Sequence, residues 1–409
     1  MRTTRKLVAV LAALALLMSS AMAEVIVPTG NTYGFAGTNG KYYTDYNTFA
    51  EEQLVAKDLA IEEATEGFVM LKNENNVLPL KKNAKVSLFG MHAVSLVAST
   101  VGSAGGRTGA NGIEESTLTM AMEHAGFRVN TKLTDLYTKH QALGTTDNEL
   151  PVSYYTPAVI STYNGYHDAA IVVFSRTGSE GSDKGVSNIA DHSDPKDHQL
   201  MLDDNEKALI KHIKEYYTDT PIIVLVNAAN ILQIPELNEP KATSEYGVDA
   251  IFWVGSTGNN AIEAIGKLIS GEVNPSGHTV EVWEKDFTKG PTFTNFGQQG
   301  QNYDENGNPM DAYYYIDGAA TQYATVEYRE GIYVGYKYYE TKFDDAAEAD
   351  KEAAYENVLY PFGYGLSYTT FDWELVPAEE NAITDAWQKM AMQVKVRSEE
   401  HTSELQSRS

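Results

Sequence analysis

Residues Ser175 to Lys184 read SRTGSEGSDK and follow directly on an apolar run, Ala169 to Phe174. Small neighbours on both sides leave the Glu180 carboxyl open to close approach by a ligand, and a carboxyl held protonated by its surroundings passes a proton to a departing group. Glu180 is therefore a candidate general acid. Arg176 and Asp183 share the loop and are candidates for binding the hydroxyls of a substrate, or for pairing with each other. With 56 acidic residues in the chain, an acid among small residues means little until its place in the fold singles it out. Other chemistries find less support. The glycine-rich stretch Gly102 to Gly109 (GSAGGRTG) lacks the GK[ST] of a phosphate loop and the spacing of a dinucleotide fingerprint. No GxSxG element marks a serine nucleophile. The nine histidines show no HExxH, and His192 and His198 sit in a polar loop without a cluster, so neither a metal site nor a cofactor is expected.

A catalytic carboxyl needs rigid elements to hold it. Short apolar, β-type runs at Val86 to Phe89, Phe127 to Asn130, Ala169 to Phe174, Ile222 to Val226 and Ala250 to Val254 alternate with helical patterns. The clearest helices are Ser116 to Ala125, Asp203 to Tyr217 and Asn259 to Ser270, the last closed by Gly271. A long amphipathic helix is expected over Thr48 to Lys72, with Phe49, Leu54, Leu59, Phe68 and Leu71 as its apolar positions. Buried strands alternating with helices predict an α/β fold: a doubly wound, mostly parallel sheet covered on both faces. Ligands of such sheets bind beyond the carboxyl ends of the strands, so the loops starting at Gly90, Ser175, Asn227 and Gly255 are the ones to watch. From Gln298 to Tyr339 the composition turns to Tyr, Gly and Asn and reads as long loops. Tyr328, Tyr333, Tyr336, Tyr338 and Tyr339 invite a ring-stacking role toward a ligand, but packing is the expected role for most of them.

The two ends are expected to stand apart from the fold. A basic start, an apolar run from Leu7 to Met18 and the small residues Ala21 and Ala23 read as a secretory signal peptide over residues 1–23. The run is too short to span a bilayer, and no second one follows, so no membrane span is expected after its removal. A secreted or extracytoplasmic location follows, without disulfides because the chain has no cysteine. A net charge of -25 repels polyphosphate, which argues against nucleic acid as a partner. Residues 397–409 lack apolar periodicity, resemble a translated sequencing-adapter oligonucleotide, and are read as a non-native tail.

Four segments together resemble the family 3 glycoside hydrolases, which include many β-glucosidases. They are Glu63 to Leu80 (EATEGFVMLKNENNVLPL), Gly271 to Gly277 (GEVNPSG), Tyr328 to Tyr339 (YREGIYVGYKYY) and Leu359 to Phe371 (LYPFGYGLSYTTF). The resemblance implies that residues 50–375 are that family's α/β sandwich domain, preceded by a lead segment, 24–49. It also implies a member with swapped domain order, in which residues 376–396 begin a fibronectin type III-like domain and the chain stops before the barrel. In the family the barrel supplies an aspartate nucleophile and the sandwich often supplies the acid/base glutamate in a Gly-Glu-Gly loop. Glu180 looks like that glutamate, although Ser179 stands for the first glycine and Lys184 for a common arginine. Asp372, in Phe-Asp-Trp, is not at the nucleophile's place. The implied reaction is retaining hydrolysis of terminal β-linked sugars, with two carboxyl groups ~5 Å apart, and the implied partners are a β-linked glycoside or oligosaccharide and the missing barrel. A chain without the nucleophile is expected to be inactive alone. The alternative is a secreted, non-catalytic carbohydrate-binding or interaction module.

Overall fold

The computed structural model describes residues 48–97, 116–141, 149–178, 184, 192–194, 197–258, 260–293, 302–303, 309–310, 314–316, 319–321, 328–376 and 393–399. The chain divides into two compact units, residues 1–59 with 109–114, and residues 60–108 with 115–409. What is described of the first is the leading part of helix α1 (Phe49–Gly67), where Leu54, Val55 and Leu59 are exposed.

The second unit is built on a six-stranded sheet. Its strands are β1 (Val69–Asn73), β2 (Lys85–Phe89), β3 (Arg128–Val129), β4 (Ala169–Arg176), β5 (Ile222–Ala228) and β6 (Ala250–Trp253), in the order β1-β6-β5-β4-β2-β3. Every pairing is parallel except that of β1 with β6. Because side chains alternate across a strand, a strand buried on both faces must be apolar throughout. In β4, Ala169, Ile171 and Val173 pack into one core layer, while Ala170, Val172 and Phe174 pack into the other. The α/β sandwich expected from the alternating runs is the fold observed.

The expected helix over Thr48 to Lys72 is too long. It ends at Gly67, and Val69, Met70 and Leu71 form the buried start of β1. A short apolar run fits a helix or a strand equally by periodicity; burial on both sides decides for the strand here. β1 also holds a buried cation. Lys72 Nζ donates to the carbonyls of Leu237 (3.3 Å), Glu239 (2.6 Å) and Val248 (2.7 Å) and lies 3.4 Å from Glu74. Burial lowers its pKa, and the Glu74 charge opposes that shift.

The crossovers carry α2 (Leu118–His124), α3 (Thr131–Gln141), α4 (Pro157–Ile160) and α5 (Asp204–Tyr216), and α6 (Glu263–Ile269) follows β6. α2 begins at Thr117, whose side chain accepts from Met120 N. α5 begins with a capping box in which Asp203 and Glu206 each accept the other's backbone N–H. α2 and α6 meet backbone to backbone: a Cβ added to Gly266 would lie 2.2 Å from Ala121 O. Gly266→Val is expected to lower the unfolding free energy by about 3 kcal/mol, at the upper end of ordinary overpacking. Urea unfolding measures this against Gly67→Ala, whose new methyl meets nothing within 4 Å.

Beyond the sheet, β7 (Trp283–Glu284) pairs with β12 (Val358–Tyr360). In the stretch expected to be loops, short strands form two local ribbons: β8 (Asn302–Tyr303) with β9 (Pro309–Met310), and β10 (Tyr314–Ile316) with β11 (Ala319–Thr321). Helix α7 (Tyr336–Asp345) starts inside that same tyrosine-rich segment and is followed by α8 (Lys351–Ala354). Of the tyrosines considered for ring stacking, Tyr339 is buried, whereas Tyr328, Tyr333 and Tyr336 are exposed. A last ribbon joins β13 (Thr370–Val376) to β14 (Gln393–Glu399), and β14 runs three residues past Val396. Ladder pairing through Arg397, Ser398 and Glu399 uses backbone groups, so it needs no apolar periodicity there.

Candidate functional site

The chain passes from β2 outward to β3 and then returns to the other side of β2 to form β4, so the winding reverses between β2 and β4. In open α/β sheets the crevice at such a reversal is where ligands bind. The loops leaving β2 at Gly90 and β4 at Arg176 frame it. Gly90 has φ 102°, and a Cβ there would lie 2.5 Å from Val173 O, so only glycine lets these strands part at this point.

Three groups hold the β2 end in place. Gly90 N donates to Tyr137 Oη at 2.8 Å, and that hydroxyl is hydrogen-bonded in turn to Tyr155 Oη. Met91 N donates to Glu149 Oε2 and Leu150 N to Glu149 Oε1, both at 2.9 Å. Glu149 is buried, which pushes its carboxyl from 4.5 up to about 8; the two N–H donors oppose the shift and the nearby Glu206 and Asp203 add to it. The groups facing it are Tyr137 of α3, Tyr155, and Asp203 and Glu206 at the start of α5, with Arg176 of β4 behind Glu206.

This has a measurable consequence. An unfolded glutamate is ionised above its ordinary pKa, while the folded chain keeps the Glu149 proton until about pH 8, so folding takes up a proton between the two. The Glu149 contribution is therefore full at low pH and declines as pH rises through that window, by at most about 1.4 kcal/mol per pH unit. The melting temperature should fall between pH 5.5 and 7.5 (on the order of one to three units into that window), and Glu149→Gln should flatten the profile. An unchanged profile in the variant would place the proton elsewhere.

At the β4 end, Arg176 makes five hydrogen bonds to described residues. Nε donates to Gln199 O (2.6 Å), one terminal nitrogen to Ser175 O (2.8 Å) and Glu206 Oε1 (2.7 Å), and the other to Met201 O (2.5 Å) and Glu206 Oε2 (2.7 Å). The guanidinium thus faces Glu206 in a two-pronged pair. Farther along, Lys184 Nζ donates to Thr177 Oγ1 at 3.3 Å. A Cβ on Gly178 would come within 2.9 Å of Asn230 Oδ1, so this loop runs close against the loop that leaves β5. Glu180 and Asp183 lie outside the described residues.

Three site-building residues were not singled out beforehand: Glu149, Glu206 and Asn227, the last noted only as the start of a loop. Asn227 is fully buried as the sixth residue of β5. Its Oδ1 accepts from Val97 N (2.6 Å) and Ser175 Oγ (2.8 Å), and its Nδ2 donates to Val97 O (3.1 Å) and Gly255 O (2.7 Å). The available signal was a lone carboxamide at the end of the apolar run IIVLVNA. Among the described residues no group of three or more His, Cys, Asp or Glu is placed to hold a metal ion, and no helix is long and apolar enough to cross a membrane.

A model of the glycosyl hydrolase family 3 C-terminal domain matches residues 68–336. The chain belongs to that family. This family 3 domain is 27% identical over 344 residues to Beta-glucosidase A of Butyrivibrio fibrisolvens, covering 79% of this chain and 36% of that protein. It is 25% identical over 340 residues to a beta-glucosidase of Ruminococcus albus, covering 80% of this chain and 29% of that one. A solved beta-glucosidase from Paenibacillus barengoltzii superposes with a TM-score of 0.58 at 26% identity, over 83% of this chain and 32% of that one. The chain therefore spans about a third of the length of the curated relatives it matches.

In the family 3 domain, the segments that carried the resemblance meet in space. Asn274 Oδ1 accepts from Ser367 Oγ (3.0 Å) and Tyr368 N (2.9 Å), joining GEVNPSG to GLSYTTF. Gly277 is squeezed between them and the start of β1: a Cβ there would lie 2.4 Å from Phe68 O, and a Cβ on Gly365 would lie 2.1 Å from Gly277 O. These motifs build the backbone of the domain. Asp372, in β13, is exposed and sits opposite Arg397 in a two-stranded ribbon.

Proposed function

We propose that this domain supplies the proton-transfer half of a secreted exo-glycosidase that hydrolyses terminal β-linked sugars with retention, and that Glu180 is its acid/base. The observation that carries the proposal is the point where the chain leaves the sheet four residues ahead of Glu180. The chain leaves β4 at the winding reversal of a family 3 domain, anchored there by the Arg176–Glu206 pair. The matched relatives are named as β-glucosidases.

In this reading Glu180, protonated, gives its proton to the glycosidic oxygen as the bond to the departing group breaks, and then as carboxylate takes a proton from the water that releases the sugar. The carboxylate that attacks the sugar comes from a barrel domain of the same enzyme. Asp183 binds substrate hydroxyls, and Arg176 positions the loop. Residues 1–23 direct export, residues 50–375 form the sandwich, and residues 376–396 open a fibronectin type III-like domain in a swapped order ahead of the barrel.

The test is hydrolysis of a chromogenic β-glucoside by this chain alone and by the chain joined to a nucleophile-bearing barrel. Turnover in the joined protein only is the expected result. Turnover by the chain alone would overturn the division of labour. Silence in both, with retained binding of β-linked oligosaccharides, would support a carbohydrate-binding module instead.

A further inference from the structure

Four strand ends face the crevice, and one buried side chain touches three of their neighbouring segments. Asn227, on β5, reaches the chain leaving β2 at Val97, the end of β4 at Ser175, and the chain leaving β6 at Gly255. An amide is suited to this place because it has one oxygen that accepts twice and one nitrogen that donates twice, and all four capacities are used within 3.1 Å. Isosteric apolar or hydroxyl side chains would leave two or more of these buried partners unmatched. Ser175 immediately precedes Arg176 and stands five residues before Glu180 in the sequence.

We propose that Asn227 is the positioning residue of the site: it fixes the spacing of the β2, β4 and β6 exits, and with it the point from which the chain leaves β4 toward the proposed acid/base. Its link to glycoside chemistry rests on the proposed function; the clamp itself rests on the hydrogen bonds alone. Loops freed from the clamp open locally without unfolding the sheet, because the ladder of β4 and β5 does not involve the amide.

Amide hydrogen exchange on the whole chain tests it. In Asn227→Ala, peptides covering Met91 to Val97 and Val254 to Gly258 should exchange at least tenfold faster, while β1 and α6 keep their wild-type rates. Asn227→Asp, which keeps the acceptor oxygen and loses both N–H donors, should loosen the Gly255 side and leave the Val97 amide protected. Ser175→Ala removes a single bond and serves if the alanine variant at 227 does not fold; it should quicken only the segment following β4. Unchanged exchange at Val97, or an equal gain across the whole sheet, would overturn the proposal, because a merely structural residue weakens every peptide alike. In the barrel-joined enzyme the clamp variants should lower kcat with little change in KM. If the loops loosen as stated while Glu180→Gln leaves hydrolysis intact, the assignment of Glu180 as acid/base fails and the clamp stands.

Discussion

Arg176→Met should lower the unfolding free energy by about 3–5 kcal/mol, the cost of stranding one member of a buried ion pair. Methionine keeps much of the side-chain bulk, so the loss comes from polar groups. Glu206 would keep its charge in a place where its side chain is only 5% exposed, and the carbonyls of Ser175, Gln199 and Met201 would each lose a donor. Glu206 would also still be held by the capping box of α5, which prevents it from swinging toward water. The double variant Arg176→Met, Glu206→Gln removes the stranded charge while leaving an oxygen for Asp203 N, and should recover more than half of the loss. Urea unfolding at neutral pH measures both. A single-variant loss below about 1 kcal/mol would mean that water replaces the guanidinium and that the pair is a surface feature.

Glu180→Gln, made in the barrel-joined enzyme, should reduce kcat by about 10²–10⁴-fold, the usual contribution of a positioned acid or base. Glutamine matches the shape of the carboxyl but has no proton to give. The loss should depend on the leaving group: an alkyl glycoside, whose departing oxygen is strongly basic, should suffer most, and a dinitrophenyl glycoside, which departs as a stable anion, least in the bond-breaking step. An equal loss for both substrates would point to a misplaced loop rather than a missing proton. The acidic side of the pH profile should move little, and the basic limb set by the protonated carboxyl should disappear.

The parts of this fold that could be read in advance are those where burial alone dictates residue type. β4, β5 and β6 sit between two helical layers, so each appears as an unbroken apolar run, and the loop after β4 could be chosen as a site from that fact. β1 was misread because Phe68 to Leu71 continues an apolar pattern begun in α1, and its strand partner lies about 180 residues away in β6. α3 was missed because Leu133, Leu136 and Tyr137 are its only large apolar residues among polar neighbours, too few to show a helical period. The polar machinery was the least legible. Arg176 and Glu206 are 30 residues apart, Asn227 and Val97 130 apart, and no local spacing rule connects them. Glu149 follows a stretch that looks like ordinary solvated loop, and its raised proton affinity comes from burial, with Glu206 and Asp203 adding to it from a part of the chain distant in sequence.

The stack of Phe68, Gly277 and Gly365 also sets an order of events during synthesis. Its three layers come from the first strand, the middle and the far end of the domain, and Met70 bridges to Leu366 beside it. A ribosome that has finished β1 must still add nearly 300 residues before the last layer exists, which takes on the order of 15–60 s at ordinary elongation rates. For the first ~180 residues of that interval the parallel core of β2, β4 and β5 can assemble while Val69, Met70 and Leu71 have no β6 to join, and after it Met70 still waits for Leu366. The nascent chain thus carries an unpaired apolar strand for roughly 10–35 s, and chaperone capture of that segment should decline in two steps, as β6 and then residue 366 clear the exit tunnel.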